Sequence, residues 1–144
     1  MSTRFPRSCY DLTGGVVYFA RMLDKIRLHA KGELGPDYHA NLGKGFDERT
    51  CQFLGVKYDD LKKQVLAGAS DEAALKWCFA QSRTPSEDDI IEFNETIQKR
   101  GWRDSGTLRL RTRLKEAKLD QRTDILTFFD FIEADEHRPL PKFP

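Results

Sequence analysis

The side chains best suited to chemistry fall in one stretch, from Arg21 to Asp47. With residues 16–31 as a helix, Arg21, Lys25 and His29 stand one turn apart, and Asp24 lies within reach of Arg21 or Arg27. A Gly-rich loop over residues 32–47 follows and carries Tyr38, His39, Asn41, Lys44 and Asp47. A mixed-charge helix face beside such a loop could form a polar pocket. Acid–base or hydrolytic chemistry there needs an imidazole within hydrogen-bond reach of a carboxylate. The spacing does not force His29 or His39 towards Asp47, so a solvated face laced with intrahelical ion pairs is the competing reading.

Gly43-Lys44-Gly45 precedes an expected helix start, where backbone amides can bind an anion and Lys44 would add charge. Asp47 and Glu48 already occupy the positive end of that helix and would repel phosphate. Neither Gly-x-x-x-x-Gly-Lys nor Gly-x-Gly-x-x-Gly is present, and a tight turn that needs glycine for backbone reasons accounts for the run. Cys51 follows the same helix start, which could lower its pKa, yet its expected place is a buried contact with Phe46. Cys78 lies between Trp77 and Phe79 on a core stripe. A metal needs at least three converging ligands, and His29, His39 and His137 are far apart. No metal and no cofactor is expected.

The last candidate is electrostatic. Residues 99–118 carry eight Lys or Arg side chains against two acidic ones, between flanking segments that are net acidic. With Trp102 nearby, Arg103, Arg109 and Arg113 could contact phosphates while the indole stacks a base. On a helix Arg109 and Arg113 share a face and Arg111 points well away, so the charge wraps round instead of forming one stripe. The pI near 7.7 is also low for a nucleic-acid domain. Docking of this segment on the acidic 46–98 region, with solvation of the rest, is the plainer expectation.

The elements that must position these groups read as helices. Phe19, Leu23, Ile26 and Ala30 make one apolar face, with Arg21, Asp24, Lys25 and Arg27 mostly off it, and Gly32 as the stop. Four glycines and a proline exclude regular structure across most of residues 32–45. Asp47 can cap a short helix from Phe46 that ends at Gly55. Another runs from Tyr58 to Ala67, with Tyr58, Leu61 and Val65 inward, and Ser70 caps the next. Thr84-Pro85-Ser86-Glu87 predicts a helix start with Thr84 as cap, continuing to about Arg100. Residues 107–115 partly alternate apolar and basic, and helix is preferred over strand. Ile125, Phe128, Phe129 and Ile132 define a last helix, capped by Asp120 or Thr123.

The sum is an all-α, single compact domain of about six or seven short helices with one long Gly-rich loop. Residues 1–13 are an N-terminal arm, 14–136 the helical domain and 137–144 a Pro-rich tail. The chain has 144 residues, 39% hydrophobic and 33% charged, enough to bury a core without disulfides or metal. It has no long apolar run for a membrane span and no apolar signal core. Three scattered cysteines suit a reducing, cytoplasmic compartment.

Several strings carry a resemblance: Asn41-Leu42-Gly43-Lys44-Gly45-Phe46-Asp47, Phe53-Leu54-Gly55-Val56, Trp77, Lys99-Arg100-Gly101-Trp102-Arg103-Asp104 and Thr127-Phe128-Phe129-Asp130-Phe131-Ile132. Over about residues 10–136 the chain resembles a bacterial domain-of-unknown-function family, number 5069. The resemblance implies a small bacterial protein one domain long and carries no activity or functional residue with it. The leading expectation is therefore a binding or interaction module for an unknown protein or small polar ligand. Its surface would be helix 16–31 with loop 32–47. The alternatives are a small enzyme with a polar pocket at the same surface, and nucleic-acid binding through residues 99–118.

Overall fold

The computed structural model describes residues 2–143; Met1 and Pro144, the outermost residues of the expected arm and tail, lie outside the described residues. The described chain is predominantly α-helical. Its contacts divide between Phe93 and Asn94 into two compact units.

The first unit opens with a hairpin of two very short strands, β1 (Leu12–Thr13) and β2 (Val16–Val17), paired antiparallel. The expected helix start after Gly15 is thereby corrected. Gly14 and Gly15 both take positive φ, 54° and 80°, and make the two-residue turn that such a hairpin requires. Val16 and Val17, β-branched and buried, are held extended. Helix α1 (Phe19–Ala30) begins only after Tyr18, whose φ of 69° turns the chain out of β2. Phe19, Leu23 and Ile26 are buried as their spacing predicts, whereas Ala30 is exposed.

A six-residue 3-10 helix, Pro36–Asn41, occupies the middle of the Gly-rich loop, where no regular element was expected. Pro36 stands at its start, with φ already set for a helical turn. Helix α2 (Phe46–Leu54) ends at Gly55 (φ 71°), α3 (Tyr58–Leu66) buries Leu61 and Val65, and α4 (Asp71–Gln81) starts from Ser70. The Ser70 hydroxyl accepts from the Ala73 amide at 3.1 Å. Helix α1 packs against α3 and α4, and α2 against α3.

Helix α5 (Glu87–Lys99) crosses the division between the units. Its cap is Ser86, not Thr84. The Ser86 hydroxyl accepts from the Asp89 amide at 3.1 Å, and the Asp89 carboxylate accepts from the Ser86 amide at 3.0 Å. This reciprocal pair satisfies two end amides at once and outcompetes a lone threonine two residues earlier. Phe93, in the first unit, stacks on Phe53 with centroids 4.3 Å apart.

The second unit holds α6 (Thr107–Glu116), the preferred helix, and α7 (Phe128–Asp135). Thr127 caps α7, accepting from the Asp130 amide at 3.1 Å, in place of the expected Asp120 or Thr123. Ile125 precedes the helix yet is buried with Leu110, Leu114 and Ala134, against which Leu119, Phe128, Phe131 and Leu140 pack.

Candidate functional site

The sequence between Tyr18 and Asp47 builds a buried ionic cluster in the first unit. Tyr18 sits at the junction of β2 and α1 and Lys25 in the second turn of α1, and their side chains meet. Helix α2 brings Asp47 to them. The Asp47 carboxylate is fully buried, while Tyr18 is 3% exposed and Lys25 5% exposed. Tyr18 donates its hydroxyl to Asp47 Oδ1 at 2.8 Å, and Lys25 Nζ donates to the same oxygen at 2.9 Å. Lys25 Nζ also lies 3.3 Å from the Tyr18 hydroxyl. The second carboxylate oxygen accepts from the Gly43 amide at 2.9 Å.

This arrangement meets the demand that a buried charge be both paired and hydrogen-bonded. Asp47 also sits in the first turn of α2, where the helix dipole favours an anion. It does not cap α2, as the sequence suggested; it caps the Gly-rich loop instead. Burial, and then the Asp47 charge, hold the Tyr18 phenol well above its ordinary pKa, so it stays a donor. The Phe46 ring meets Tyr18 edge-on at 5.7 Å, in place of the expected staple on Cys51. Cys51 is buried with its Sγ 3.9 Å from Met22 Sδ. Its thiol is pushed up to about 12 by burial and by the Asp47 carboxylate. That is the reverse of the activation a nucleophile needs.

The other residues of the stretch divide into anchors and exposed groups. Arg21 and Lys25 were expected mostly off the buried face, and both are buried. Their long stems follow the apolar surface while their heads reach polar partners inside the unit. Arg21 Nη1 donates to the Arg7 carbonyl at 3.0 Å, and its guanidinium stands over the Tyr38 ring at 5.9 Å. Asp24 accepts from the Arg7 amide at 3.0 Å. Arg7 and Arg27 both pair with Asp71, at 2.9 and 2.7 Å. With the Arg4 amide donating to the Glu33 carbonyl at 2.9 Å, residues 4–7 are fastened along α1 and the loop.

His29, His39, Asn41 and Lys44 are exposed, and Tyr38 is half-buried. The imidazoles of His29 and His39 meet edge-on at 4.7 Å, and His39 Nε2 lies 3.0 Å from the Leu34 carbonyl. Among the described residues neither imidazole is hydrogen-bonded to a carboxylate. The Gly43 amide, a candidate anion donor, is occupied by Asp47, and the Lys44 amide by the Asn41 carbonyl at 3.0 Å. Among the described residues no group of three His, Cys, Asp or Glu converges to hold a metal ion.

Sequence reasoning missed Tyr18. Its seven-residue separation from Lys25 was the available signal. It was obscured because Tyr18 lies at the junction of strand and helix, before the helical period begins. In the second unit Arg103, Arg109 and Arg113 are exposed, and the Arg103 guanidinium stands over the Trp102 ring at 5.0 Å.

A family model described as "Domain of unknown function (DUF5069)" matches residues 3–138 of the chain. No curated protein matches it. No helix among the described residues is long and apolar enough to cross a membrane.

Proposed function

The chain belongs to the DUF5069 family, and from that premise we propose that it is a binding module whose recognition surface is the exposed edge of α1 with loop 32–47. The observation that carries this reading is the clasp on Asp47. Three donors, from Tyr18, Lys25 and Gly43, converge on one buried carboxylate. Two of its polar side chains come from one end of α1 and its middle, the third from the start of α2, and the amide comes from the loop itself. The loop is thereby fixed to α1 instead of being free to rearrange. A preorganised loop loses less entropy on binding, which favours recognition. The groups it leaves facing outward, His29, His39, Asn41 and Lys44, are polar and suit a protein surface or a small polar ligand.

The same cluster weighs against catalysis by Lys25 or Asp47, because each is sealed from solvent and already partnered. A cytoplasmic setting in a bacterium belongs to this reading, and the three buried, unbridged cysteines are in keeping with a reducing compartment.

The test begins with a thermal-shift screen against metabolites, nucleotides and short peptides. A ligand at one hundred times its Kd stabilises the fold by about 2.7 kcal/mol. The combined His29→Ala, His39→Ala, Asn41→Ala and Lys44→Ala variant should keep the parent's fold without ligand, giving up the His39 contacts with Leu34 and His29, and lose the ligand's shift. For a protein partner, the same variant should lose co-purification. Association that survives in this variant would place recognition elsewhere.

A further inference from the structure

We propose that the exposed half of α6, with the turn before it, binds single-stranded nucleic acid. The first observation concerns ion pairing. Arg4, Arg7, Arg27, Arg83, Arg100, Arg122 and Arg138 each pair with a carboxylate. Arg103, Arg109, Arg111 and Arg113 do not: among the described residues they have no ion pair, and neither do Lys115 and Lys118. Within the second unit, among the described residues, the ion pair found in residues 99–118 is Arg100 with Asp104 at 3.7 Å.

The second observation is the distribution of charge. Leu110 and Leu114 are buried and mark the inner side of α6. At about 100° per residue, Leu108 and Thr112 form the outermost ridge. Arg109 and Arg113 line one flank of that ridge, and Arg111 and Lys115 the other. Leu108 is 74% exposed. Glu116 is the only carboxylate on the helix. Cations line both flanks of the ridge, and Glu116, seven residues from Arg109, falls on the flank of Arg109 and Arg113.

The third observation is a stacking platform. Trp102 is 47% exposed at the head of the turn that leads into α6. That turn is rigid. The Asp104 carboxylate accepts from the Gly101 and Gly106 amides at 3.0 and 2.8 Å, and the Thr107 hydroxyl donates to the Gly101 carbonyl at 2.9 Å. Asp104 is thus held by backbone amides and also lies 3.7 Å from the Arg100 guanidinium. The Arg103 guanidinium lies over the indole and adds a positive charge beside it. An exposed indole beside a guanidinium suits an unpaired base and its phosphate. A duplex, whose bases are already stacked, has no use for the indole. An acidic peptide would use the cations without the stacking face.

The experiment is fluorescence anisotropy of labelled oligo(U) and oligo(dT), about a dozen bases long, across a salt series. Contacts from Arg109, Arg111, Arg113 and Lys115 predict a log–log salt slope near −3, at about 0.7 per phosphate on a single strand. Trp102→Ala should weaken binding by about 5- to 150-fold, the range for loss of one stacked base, and Trp102→Phe should restore most of it. Arg109→Ala with Arg113→Ala should bring the slope to roughly half. Trp102, Arg109 and Arg113 are all exposed, so the variants should keep the parent's circular dichroism and melting temperature. Absence of binding at low salt, or variants that bind like the parent, would overturn the proposal. Tighter binding of a matched duplex, or equal binding of a poly-glutamate peptide of similar length, would also overturn it, in favour of a groove or of an acidic protein.

Discussion

Replacing Lys25 by methionine tests the clasp directly. Methionine keeps much of the side-chain bulk but removes the cation that lies 2.9 Å from Asp47 Oδ1. The Asp47 carboxylate, with no exposed surface, would retain only the Tyr18 hydroxyl and the Gly43 amide as donors. Breaking a buried pair by deleting one partner costs about 3–5 kcal/mol, because the remaining charge is stranded. Over 144 residues the unfolding entropy is roughly 0.3 kcal/mol per degree, so the melting temperature should fall by about 10–17 °C. The informative comparison is the double variant, Lys25→Met with Asp47→Asn. Asparagine removes the stranded charge while its carbonyl oxygen still accepts from Gly43 or Tyr18. The double variant should therefore be more stable than the sum of the single effects predicts, with a coupling of at least about 1.5 kcal/mol. Urea denaturation of the four proteins, read by circular dichroism, measures the cycle. A loss under about 1 kcal/mol for Lys25→Met, or strict additivity in the double variant, would refute the claim that the pair holds this region. Hydrogen exchange gives a second reading. The Gly43 amide should exchange faster in Asp47→Ala, since its acceptor is gone.

Two further predictions follow from the same region. Gly43 has a φ of +75°, and a Cβ there would stand 2.9 Å from Cδ1 of the Tyr58 ring; Gly43→Ala should cost about 2–4 kcal/mol, from the left-handed backbone and the overpacking together, as a lowered urea midpoint. The Cys51 and Cys78 thiols, both pushed up from 9.0 to about 12 by burial, should react slowly with a disulfide reagent at pH 8 and rapidly in denaturant. Because the folded state holds those protons longer than the unfolded chain does, their contribution is fully present below about pH 9 and is lost as pH rises towards 12. The urea midpoint should accordingly fall between pH 8 and 11; a midpoint that rises over that interval would contradict the buried placement.

The helices were legible where a local rule acts alone. Leu61 and Val65 in α3 are buried because a 3.6-residue period needs nothing beyond the segment itself. Ser70 caps α4 for the same reason. Boundaries failed where two local solutions competed, as at Thr84 against Ser86, and at Thr123 against Thr127. In each case the residue with a reciprocal or well-placed amide three positions on became the cap. The hairpin at Leu12–Val17 escaped because two-residue strands are too short to show alternation.

Sequence alone determined the helical class, the family and the concentration of polar groups between Arg21 and Asp47. It also located the basic segment at residues 99–118. Only the tertiary structure decided what those groups do. Lys25 and Asp47 are 22 residues apart, and no periodicity links them; they meet because α2 packs on α3 and α3 on α1. That packing turned two apparent surface charges into a buried pair and the Gly43 amide into its donor. The arginines of α6 were as basic on paper as those elsewhere, and their lack of ion pairs among the described residues emerged from position alone. Charge is a property of the side chain, but whether it is spent inside the protein depends on what the fold brings within about 4 Å of it.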